Sequence, residues 1–304
     1  MAGVKKILLQ LDCDPQPSTF DAIVATDAGA DVLLRHGGVT PDTVVPLVHG
    51  GMFTRGGADL ASTAIFIGGS DVAAADAVAE RVRASFFGPV RLGVLVDPAG
   101  ANTTASAAVI AAGRHVSLAR AKGAACRAVV LGGTGPVGQR VARLLAGKGC
   151  HVTIVSRSRG RAEGVVERLV AAGIAAPARL EAVEQHGAAV APGSPLAAAL
   201  RDAEVIVAAG AAGATLLDAS GRAAASAARV LVDLNAVPPA GIDGVAGTDK
   251  ARPDGAAVVY GALGVGGTKM KIHRAAIARV FESTTAFLDA PDLLAIGEAL
   301  EARG

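Results

Sequence analysis

The sequence predicts an α/β protein with two domains, an N-terminal α/β domain and a Rossmann-type doubly wound domain that binds a dinucleotide. The chain has 304 residues, which exceeds the usual size of one domain. Short apolar runs alternate with longer helical patterns, as expected for parallel strands joined by crossover helices. The run AVVLGGTGPVGQRVARLL then supplies a strand, a glycine-rich turn and a helix, the order in which dinucleotide-binding folds begin.

The N-terminal series contains three predicted strands and three predicted helices. The apolar runs KILLQL, AIFI and RLGVLV predict buried strands at residues 6–11, 64–67 and 91–96. Helical patterns between and after them are expected at residues 20–28, 72–85 and 103–112.

A second series starts near Arg127. Its strands are expected at residues 128–131, 151–155, 204–208, 230–234 and 257–260, with helices in most of the intervals. A short strand near residues 175–180 has only a weak pattern. Polar, basic and glycine residues interrupt both series at 115–125, so the boundary is expected there, between a domain at 1–115 and one at 120–270.

The end of the chain is expected to return to the N-terminal domain. After Tyr260 the sequence GALGVGGTKMK predicts a glycine-rich turn, and an amphipathic helical segment follows at residues 273–288. No strand is expected to accompany this segment. We therefore expect residues 273–304 to complete the first domain, so that the chain crosses between the domains twice.

Composition argues against several classes of function. Hydrophobic residues make up 51% of the chain but aromatic residues only 3%, with no Trp, which leaves few rings for stacking on nucleic-acid bases. The net charge of +2 creates no strong field toward a polyanion or a membrane surface. The N-terminus lacks the apolar run of a signal peptide, and no segment offers ~18 uninterrupted apolar residues. We expect a cytoplasmic protein with neither a nucleic-acid nor a membrane partner.

The cysteines give no sign of a metal site or a disulfide framework. Cys13, Cys126 and Cys150 form no CxxC pair, and such sparse usage fits a reducing compartment. We therefore expect the protein to bind no metal ion.

The glycine-rich turn is the first candidate site. The pattern G-x-G-x-x-G is formed by Gly133, Gly135 and Gly138. In such a motif the first glycine allows a tight turn, and the second lets the backbone approach a pyrophosphate closely. The third lets the helix pack closely on the strand. The helix N-terminus offers N–H groups to the anion. The intervening residues of this loop complete the predicted contacts: Thr134, Pro136 and Val137. A purely structural turn is the alternative.

The tip of the next strand indicates which dinucleotide binds. An NAD site usually places a carboxylate there, on the adenosine ribose. This chain instead has Ser156, Arg157 and Ser158, with Arg161 close behind. Guanidinium groups bind phosphate oxygens through charge-assisted bonds, so NADP is predicted, although arginine stacked on adenine would also tolerate NAD. The alternative is a solvated basic helix start, which would oppose the helix dipole.

Two later strand tips are expected to border the nicotinamide half. Ala209 and Gly210 are small enough for the ribose to lie close, and Asn235 offers hydrogen bonds to the ribose or to the nicotinamide amide. For both tips, a plain turn is the competing interpretation.

Polar residues in the N-terminal domain cluster where strands end, which is where open parallel sheets bind ligands. Each is also an ordinary cap or turn residue, and Ser18 with Asp21 fits a capping box. Phe20 is a candidate for packing against a ligand ring. The predicted substrate-binding set is Asp12, Asp14, Ser18, Phe20, Asp21, Asp97, Asn102 and Thr103.

Several longer blocks carry a family resemblance. These blocks are LDCDPQPSTFDAIVATDAGAD, TRGGADLASTAIFIGGSD, FFGPVRLGVLVDPAGANTTASA, VVLGGTGPVGQR, VDLNAVPPAGIDG and YGALGVGGTKMKIHRAAIARVFES. Together they resemble the methylene-tetrahydromethanopterin dehydrogenases of C1-metabolising bacteria, one branch of which also oxidises methylene-tetrahydrofolate. The resemblance runs from about Lys5 to Asp289 and is faint at residues 113–125 and 171–200.

The resemblance implies hydride transfer from the methylene group of a reduced pterin to NADP, or in some members NAD, giving the methenyl pterin. It implies an N-terminal pterin-binding domain completed by the C-terminal helix, an active site in the cleft, and a homo-oligomer. The functional lysine of the family falls on Lys269. Because no proton moves in this step, Lys269 is expected to orient the pterin, with a contact to cofactor phosphate or ribose as the alternative.

Two other functions remain open from the residues. An NADP-dependent hydroxy-acid dehydrogenase of the shikimate type would need a Lys–Asp pair for proton transfer, and Asp12, Asp14 and Lys269 offer those residue types. The N-terminal blocks do not fit such an enzyme. A non-catalytic NADP-binding sensor would need no substrate pocket, and the polar strand ends argue against it.

Overall fold

The computed structural model describes residues 3–119 and 124–303. These residues form two compact units. The first unit runs to Thr103 and resumes at Met270, and the second comprises Thr104–Lys269. The first division therefore falls earlier than the predicted boundary at 115–125, of which residues 120–123 lie outside the described part. The reason is that one continuous helix carries the chain across the division.

The first unit is a five-stranded sheet flanked by helices. The elements up to the division are β1 (Ile7–Asp12), α1 (Thr19–Asp27), β2 (Val32–His36), α2 (Val44–Met52), β3 (Thr63–Gly68), α3 (Val72–Ala84), β4 (Gly93–Val96) and α4 (Ala101–Gly113). The elements at the end of the chain are α9 (Ala262–Val280), β12 (Phe287–Leu288) and α10 (Ala290–Glu301). The strand order is β12-β4-β3-β1-β2, and every pairing is parallel.

The buried central strands of this sheet follow from their sequence. Every residue of β3 is buried, and a continuous apolar run is typical of a parallel strand covered on both faces. One face packs on Val44, Val48 and Met52 of α2, together with Val78 and Val82 of α3. The C-terminal ends of β1, β3 and β4 consequently meet at one edge of the sheet.

The second unit is a seven-stranded sheet with the doubly wound strand order. Its elements are β5 (Arg127–Leu131), α5 (Pro136–Gly147), β6 (His151–Ser156), α6 (Arg159–Ala171), β7 (Leu180–Glu184), α7 (Pro195–Asp202), β8 (Val205–Ala208), α8 (Ala219–Ala224), β9 (Val230–Asp233), β10 (Arg252–Asp254) and β11 (Ala257–Tyr260). The strand order is β10-β11-β9-β8-β5-β6-β7, with β10 alone antiparallel to its neighbour among these strands. The order reverses between β5 and β8, the position at which such sheets bind ligands. The predicted α/β class with parallel sheets is confirmed.

Most of the differences from the predicted elements lie at sheet edges. The patterns missed β2, α2 and β10, and β2 is an edge strand with half-exposed residues and no clear alternation. The strand expected at 175–180 instead occupies β7, because Pro177 opens a short 3₁₀ turn just before it.

The predicted glycine-rich turn after Tyr260 is wrong, because this segment forms the first turns of α9. Glycine weakens a helix, but here it allows close packing. A β-carbon at Gly264 would overlap the carbonyl group of Asp249, and one at Gly261 would overlap the carbonyl oxygen of Ala246. The helix therefore lies directly against the chain at residues 246–250.

The expectation that no strand accompanies the end of the chain is also wrong. Strand β12 pairs in parallel with β4, placing Phe287 beside Val94. Near this pairing, a β-carbon at Gly93 would overlap the carbonyl oxygen of Val280. The C-terminal segment is therefore part of the first unit's sheet as well as its helical layer. None of the helices within residues 3–119 and 124–303 combines the length and apolar character needed to span a bilayer.

Candidate functional site

The glycine-rich loop begins one residue earlier than the motif predicts. Gly132 has a positive φ of 70°, and a β-carbon on it would lie 2.6 Å from Cα of Gly210. The tight turn therefore belongs to Gly132, which the motif did not single out. Gly133 is restricted differently, since its β-carbon would lie 2.8 Å from Cγ2 of Ile154.

The other two motif glycines differ in how much space they have. A β-carbon at Gly138 would overlap the carbonyl oxygen of Gly132 and lie 2.8 Å from Cα of Gly133, so this glycine is needed for helix-on-loop packing. A β-carbon at Gly135 would meet only the carbonyl oxygens of Ala209 and Gly132, both at 3.4 Å. The packing of the protein has room for a β-carbon at 135, so glycine there leaves space beside the loop.

The first turn of α5 has the features of an anion site. Gly135 is the N-cap and Pro136 the first helical residue, whose missing N–H is not needed there. The following residues, Val137 and Gly138, begin the helix where N–H groups have no acceptor within it. The side chain of Gln139 donates to the carbonyl oxygen of Thr134 at 2.8 Å and fixes the loop, a role that the motif does not reveal.

The tip of β6 lies beside this loop. The hydroxyls of Thr134 and Ser156 are 3.1 Å apart, and the N–H of Ser158 donates to the Ser156 hydroxyl at 3.3 Å. Ser158 also caps α6, because its hydroxyl accepts from the N–H of Arg161. The structure thus joins the two predicted parts of the dinucleotide site.

The arginines at this tip fall into two groups. Arg159 is held by Glu163 at 2.8 Å on the same helix. Arg157 and Arg161 are exposed, and no carboxylate partner for either is seen among the described residues. Exposed guanidinium groups beside a helix N-terminus are chemically suited to bind an anion such as a phosphate group.

The tip of β8 also borders the loop. The N–H of Ala209 donates to the carbonyl oxygen of Leu131 at 2.9 Å, continuing the sheet to the strand end. A β-carbon at Gly210 would lie 2.6 Å from Cδ1 of Leu216, so this position is closed to larger residues. The predicted pair of small residues therefore lines the loop between β5 and β8.

Asn235, at the tip of β9, uses its side chain within its own loop. Its amide nitrogen donates to the carbonyl oxygen of Pro239 at 2.9 Å, and its amide oxygen accepts from the N–H of Val237 at 3.1 Å. These bonds occupy both ends of the amide that was predicted to reach the ribose or nicotinamide. One amide hydrogen and one oxygen lone pair of Asn235 stay available to a ligand, so its contact with the cofactor stays a prediction.

In the first unit, Asp12 shapes the loop after β1. It is fully buried, and its carboxylate accepts from the N–H groups of Asp14 at 2.9 Å and Ser18 at 3.0 Å. Asp14 in turn accepts from the N–H and hydroxyl of Ser70 at 2.9 and 2.8 Å. Ser18 caps α1 through the N–H of Asp21, which confirms the cap expected from the sequence.

Asp97 has the same role after β4. It is fully buried and accepts from the N–H of Asn102 at 2.9 Å, the N–H of Thr103 at 3.0 Å and the Thr103 hydroxyl at 2.7 Å. Asn102 is buried too and donates to the carbonyl oxygen of Val96 at 2.6 Å. Burial and these internal bonds explain the three polar residues without a substrate, so their substrate contacts stay a prediction.

The edge of this sheet is electrostatically negative. Burial, and then the carboxylates of Asp12, Asp14 and Asp71, raise the pKa of the Cys13 thiol to about 11. The thiol therefore stays protonated at neutral pH and is not a nucleophile. The same field favours positive charge near the ends of β1 and β3.

Phe20 is the most exposed of the predicted substrate-binding residues. It lies on α1 with 52% of its surface exposed, while its ring centroid is 6.4 Å from that of His273 on α9. His273 is fully buried, stacks on Phe66 at 5.8 Å and has its Nε2 atom 3.9 Å from the Asp21 carboxylate. Because the neighbouring His273 is held in place by packing, the exposed ring of Phe20 is suited to pack against a flat ligand.

Lys269 lies in α9 rather than in a turn, and it is partly buried. Its neighbour Thr268 accepts from the guanidinium of Arg114 at 3.0 Å. A helical setting fixes the direction of the lysine stem more firmly than a glycine-rich turn would.

Comparisons with known proteins show similarity to one family of dehydrogenases over nearly the whole chain. A family model described as "Methylene-tetrahydromethanopterin dehydrogenase, N-terminal" matches residues 19–99. The bifunctional protein MdtA of Methylorubrum extorquens is 41% identical over 300 residues, covering 97% of this chain and 99% of the relative. An NAD(P)-dependent methylenetetrahydromethanopterin dehydrogenase of the same organism is 34% identical over 273 residues, 88% of each chain. Among solved structures, a transhydrogenase from Sinorhizobium meliloti aligns with a TM-score of 0.45 and 14% identity, covering 97% of this chain and 94% of that one.

Proposed function

The chain belongs to the methylene-tetrahydromethanopterin dehydrogenase family, and on this premise we propose that it oxidises methylene-tetrahydromethanopterin to the methenyl form with NADP⁺. The observation that carries the proposal is the similarity to a relative over nearly the whole length of both chains. The glycine loop, which lies beside the arginine-bearing tip of β6, supports it. The relatives favour this reaction over a hydroxy-acid dehydrogenase or a non-catalytic sensor. Cytoplasmic location, homo-oligomerisation and activity on the folate analogue are further parts of the proposal.

The residues present fit a dinucleotide phosphate. Glycine at 135 leaves room for a pyrophosphate against the first turn of α5. Arg157 and Arg161 would bind a 2′-phosphate, whereas a carboxylate at this tip would repel one. NAD⁺ would lack that phosphate contact and bind more weakly.

The reaction moves a hydride and no proton. A bound NADP⁺ would supply the hydride acceptor, and loss of the hydride from the methylene carbon would leave the pterin as a delocalised cation. The protein must hold the two carbons about 3–3.5 Å apart, so positioning supplies most of the catalysis. The negative edge of the first unit, around Asp12 and Asp14, would stabilise the growing positive charge.

Phe20 and Lys269 are proposed to place the pterin. Phe20 offers an exposed ring for the flat pterin, and Lys269 would hold a ring carbonyl or nitrogen by a hydrogen bond. Asp14, Ser18 and Asp21 are further polar groups of the first unit that would contact the pterin.

Initial rates with two carriers and two cofactors test the function. Methylene-tetrahydromethanopterin and methylene-tetrahydrofolate would each be supplied with NADP⁺ and with NAD⁺, while both reduced nicotinamide and methenyl product are followed. We expect turnover of the methanopterin, faster with NADP⁺. Absence of turnover with every pair would overturn the proposal, and faster turnover with NAD⁺ would overturn the phosphate assignment alone.

Arg157→Gln is expected to raise KM for NADP⁺ about tenfold to a hundredfold, since one charge-assisted bond is worth ~1.5–3 kcal/mol, while KM for NAD⁺ stays unchanged. The measurement is the ratio of kcat/KM values for the two cofactors. Arg159→Gln is the matched control, because Arg159 is already held by Glu163. An equal loss for NADP⁺ and NAD⁺ in Arg157→Gln would contradict the assignment.

Lys269→Ala is expected to lower kcat about tenfold or more with little change in the Kd for NADP⁺, because the pterin would lose its orientation. Lys271→Ala, two residues along the same helix and exposed, is the control and should leave both quantities unchanged. A kcat within a few-fold of wild type would remove Lys269 from the site, and a loss of NADP⁺ affinity would assign it to the cofactor instead.

A further inference from the structure

The loop after β9 is closed at both ends by one buried carboxylate. This diproline loop comprises residues 235–241. Asp233, which is 2% exposed, accepts from the N–H of Asn235 at 3.0 Å and from the N–H of Ile242 at 3.1 Å. The two oxygens of one carboxylate thus hold the residues on either side of the loop together.

Gly241 packs directly on the Asp233 carboxylate, and no larger residue fits there without a shift. A β-carbon at Gly241 would lie 2.7 Å from Oδ1 of Asp233 and 3.4 Å from Cβ of Ala208. The carbonyl oxygen of Gly241 accepts from the N–H groups of Leu216 and Leu217 at 2.8 and 3.1 Å. The base of the diproline loop is therefore fixed to the chain that follows β8.

The tip of the loop is apolar and points away from the core. Val237 is 52% exposed, although its N–H is held by the side chain of Asn235 at 3.1 Å. An exposed valine on a loop whose polar groups bond internally presents an apolar surface. Scattered exposed apolar residues are common, so a role for Val237 has to be argued from where its loop lies along the sheet edge.

That position is on the nicotinamide side of the sheet. The glycine loop follows β5, and Arg157 follows β6 on one side of it. Strands β8 and β9 lie on the other side, beyond the point where the strand order reverses. A dinucleotide with its adenosine phosphates at β6 and its pyrophosphate at Gly135 must extend its other half toward the ends of β8 and β9.

We propose that Asp233 is a positioning residue that holds the diproline loop so that Val237 packs against the nicotinamide half of the bound dinucleotide. The proposal rests on the proposed function for its NADP site. Asp233 touches no reacting atom and acts through the loop. Val237 would add an apolar contact from the same loop in which the side chain of Asn235 bonds to Pro239 and Val237.

The test compares two ligands, NADP⁺ and 2′,5′-ADP, by isothermal titration calorimetry. The second ligand contains the adenosine and both its phosphates but no nicotinamide. For Asp233→Asn, in which one accepting oxygen becomes a donor, the Kd for NADP⁺ should rise about tenfold, while that for 2′,5′-ADP stays within about twofold. Val237→Ser should give the same pattern with a smaller rise, and its exposed position protects the fold.

Val4→Ser is the matched control, since Val4 is also exposed, at 45%, and lies in the other unit. It should change neither Kd. If Asp233→Asn raised the Kd for both ligands equally, the substitution would have loosened the whole unit. If Val237→Ser left the Kd for NADP⁺ unchanged, Val237 would not contact the dinucleotide. Either result overturns the proposal. Should Asp233→Asn fail to fold, Val237→Ser alone decides. Wild-type protein that binds neither ligand would instead refute the proposed function.

Discussion

Gly135→Ala is expected to weaken NADP⁺ binding about a hundredfold, equivalent to ~2.7 kcal/mol, while the unfolding midpoint stays close to that of wild type. The methyl group would meet protein atoms no nearer than 3.4 Å, so the fold accepts it. It would, however, stand between the first turn of α5 and the pyrophosphate, and push the anion away from the helix N–H groups. Calorimetric titration and thermal unfolding of the same samples measure both quantities.

Gly138→Ala is the contrasting variant in the same loop. Its methyl group would overlap the carbonyl oxygen of Gly132, so α5 must move and the unfolding midpoint should fall together with affinity. If Gly135→Ala bound NADP⁺ as wild type does, the glycine loop would not be the pyrophosphate site.

Asp97→Ala is expected to destabilise the first unit by about 3 kcal/mol or more, because it leaves buried N–H groups without an acceptor, at ~1–3 kcal/mol each. The donors are those of Asn102 and Thr103 at the start of α4, both buried. Asp97→Asn should cost much less, since its amide oxygen still accepts. Urea unfolding followed by circular dichroism measures the difference.

Asp71→Ala is the control, because it removes a helix cap that is exposed to solvent. Asp71 caps α3 by accepting from the N–H of Ala74 at 3.0 Å, but it is exposed, so its loss should cost only about 1 kcal/mol.

The KM of Asp97→Asn for the pterin separates a structural role of Asp97 from a substrate contact. A KM near that of wild type fits the structural role, whereas a large rise at unchanged stability would show a substrate contact.

The strands and the glycine loop could be predicted because local sequence determines them. Continuous apolar runs such as β3 and β5 have few alternatives to a buried parallel strand. The loop after β5 was recognisable because its glycines are set by close approaches over a few residues. The tight turn was nevertheless assigned to Gly133 rather than Gly132, since two adjacent glycines make the pattern ambiguous.

The end of the chain could not be predicted, because its structure depends on distant contacts. Glycines in the first turns of α9 usually signal a turn, and their reason is the carbonyl groups of the chain at 246–250. The two residues of β12 carry no pattern of their own and form a strand only because β4 lies beside them. Such pairings override local propensity.

Side-chain roles were the least predictable part of the candidate site. Polar residues were predicted at the ends of strands, but sequence does not reveal whether their side chains are buried. Asp12 and Asp97 proved to be fully buried acceptors for backbone N–H groups, and Asn235 bonds to its own loop. Carboxylates and amides that organise a loop have the same spacing as those that bind a ligand.

The transfer of isotope between substrates tests the central claim most directly. Methylene-tetrahydromethanopterin carrying deuterium on both positions of the methylene carbon would be incubated with the protein and NADP⁺, and both products analysed by mass spectrometry. Direct hydride transfer predicts one deuterium in the reduced nicotinamide and one in the methenyl pterin. Reduced nicotinamide free of deuterium, or no reduced nicotinamide at all, would contradict the assigned reaction.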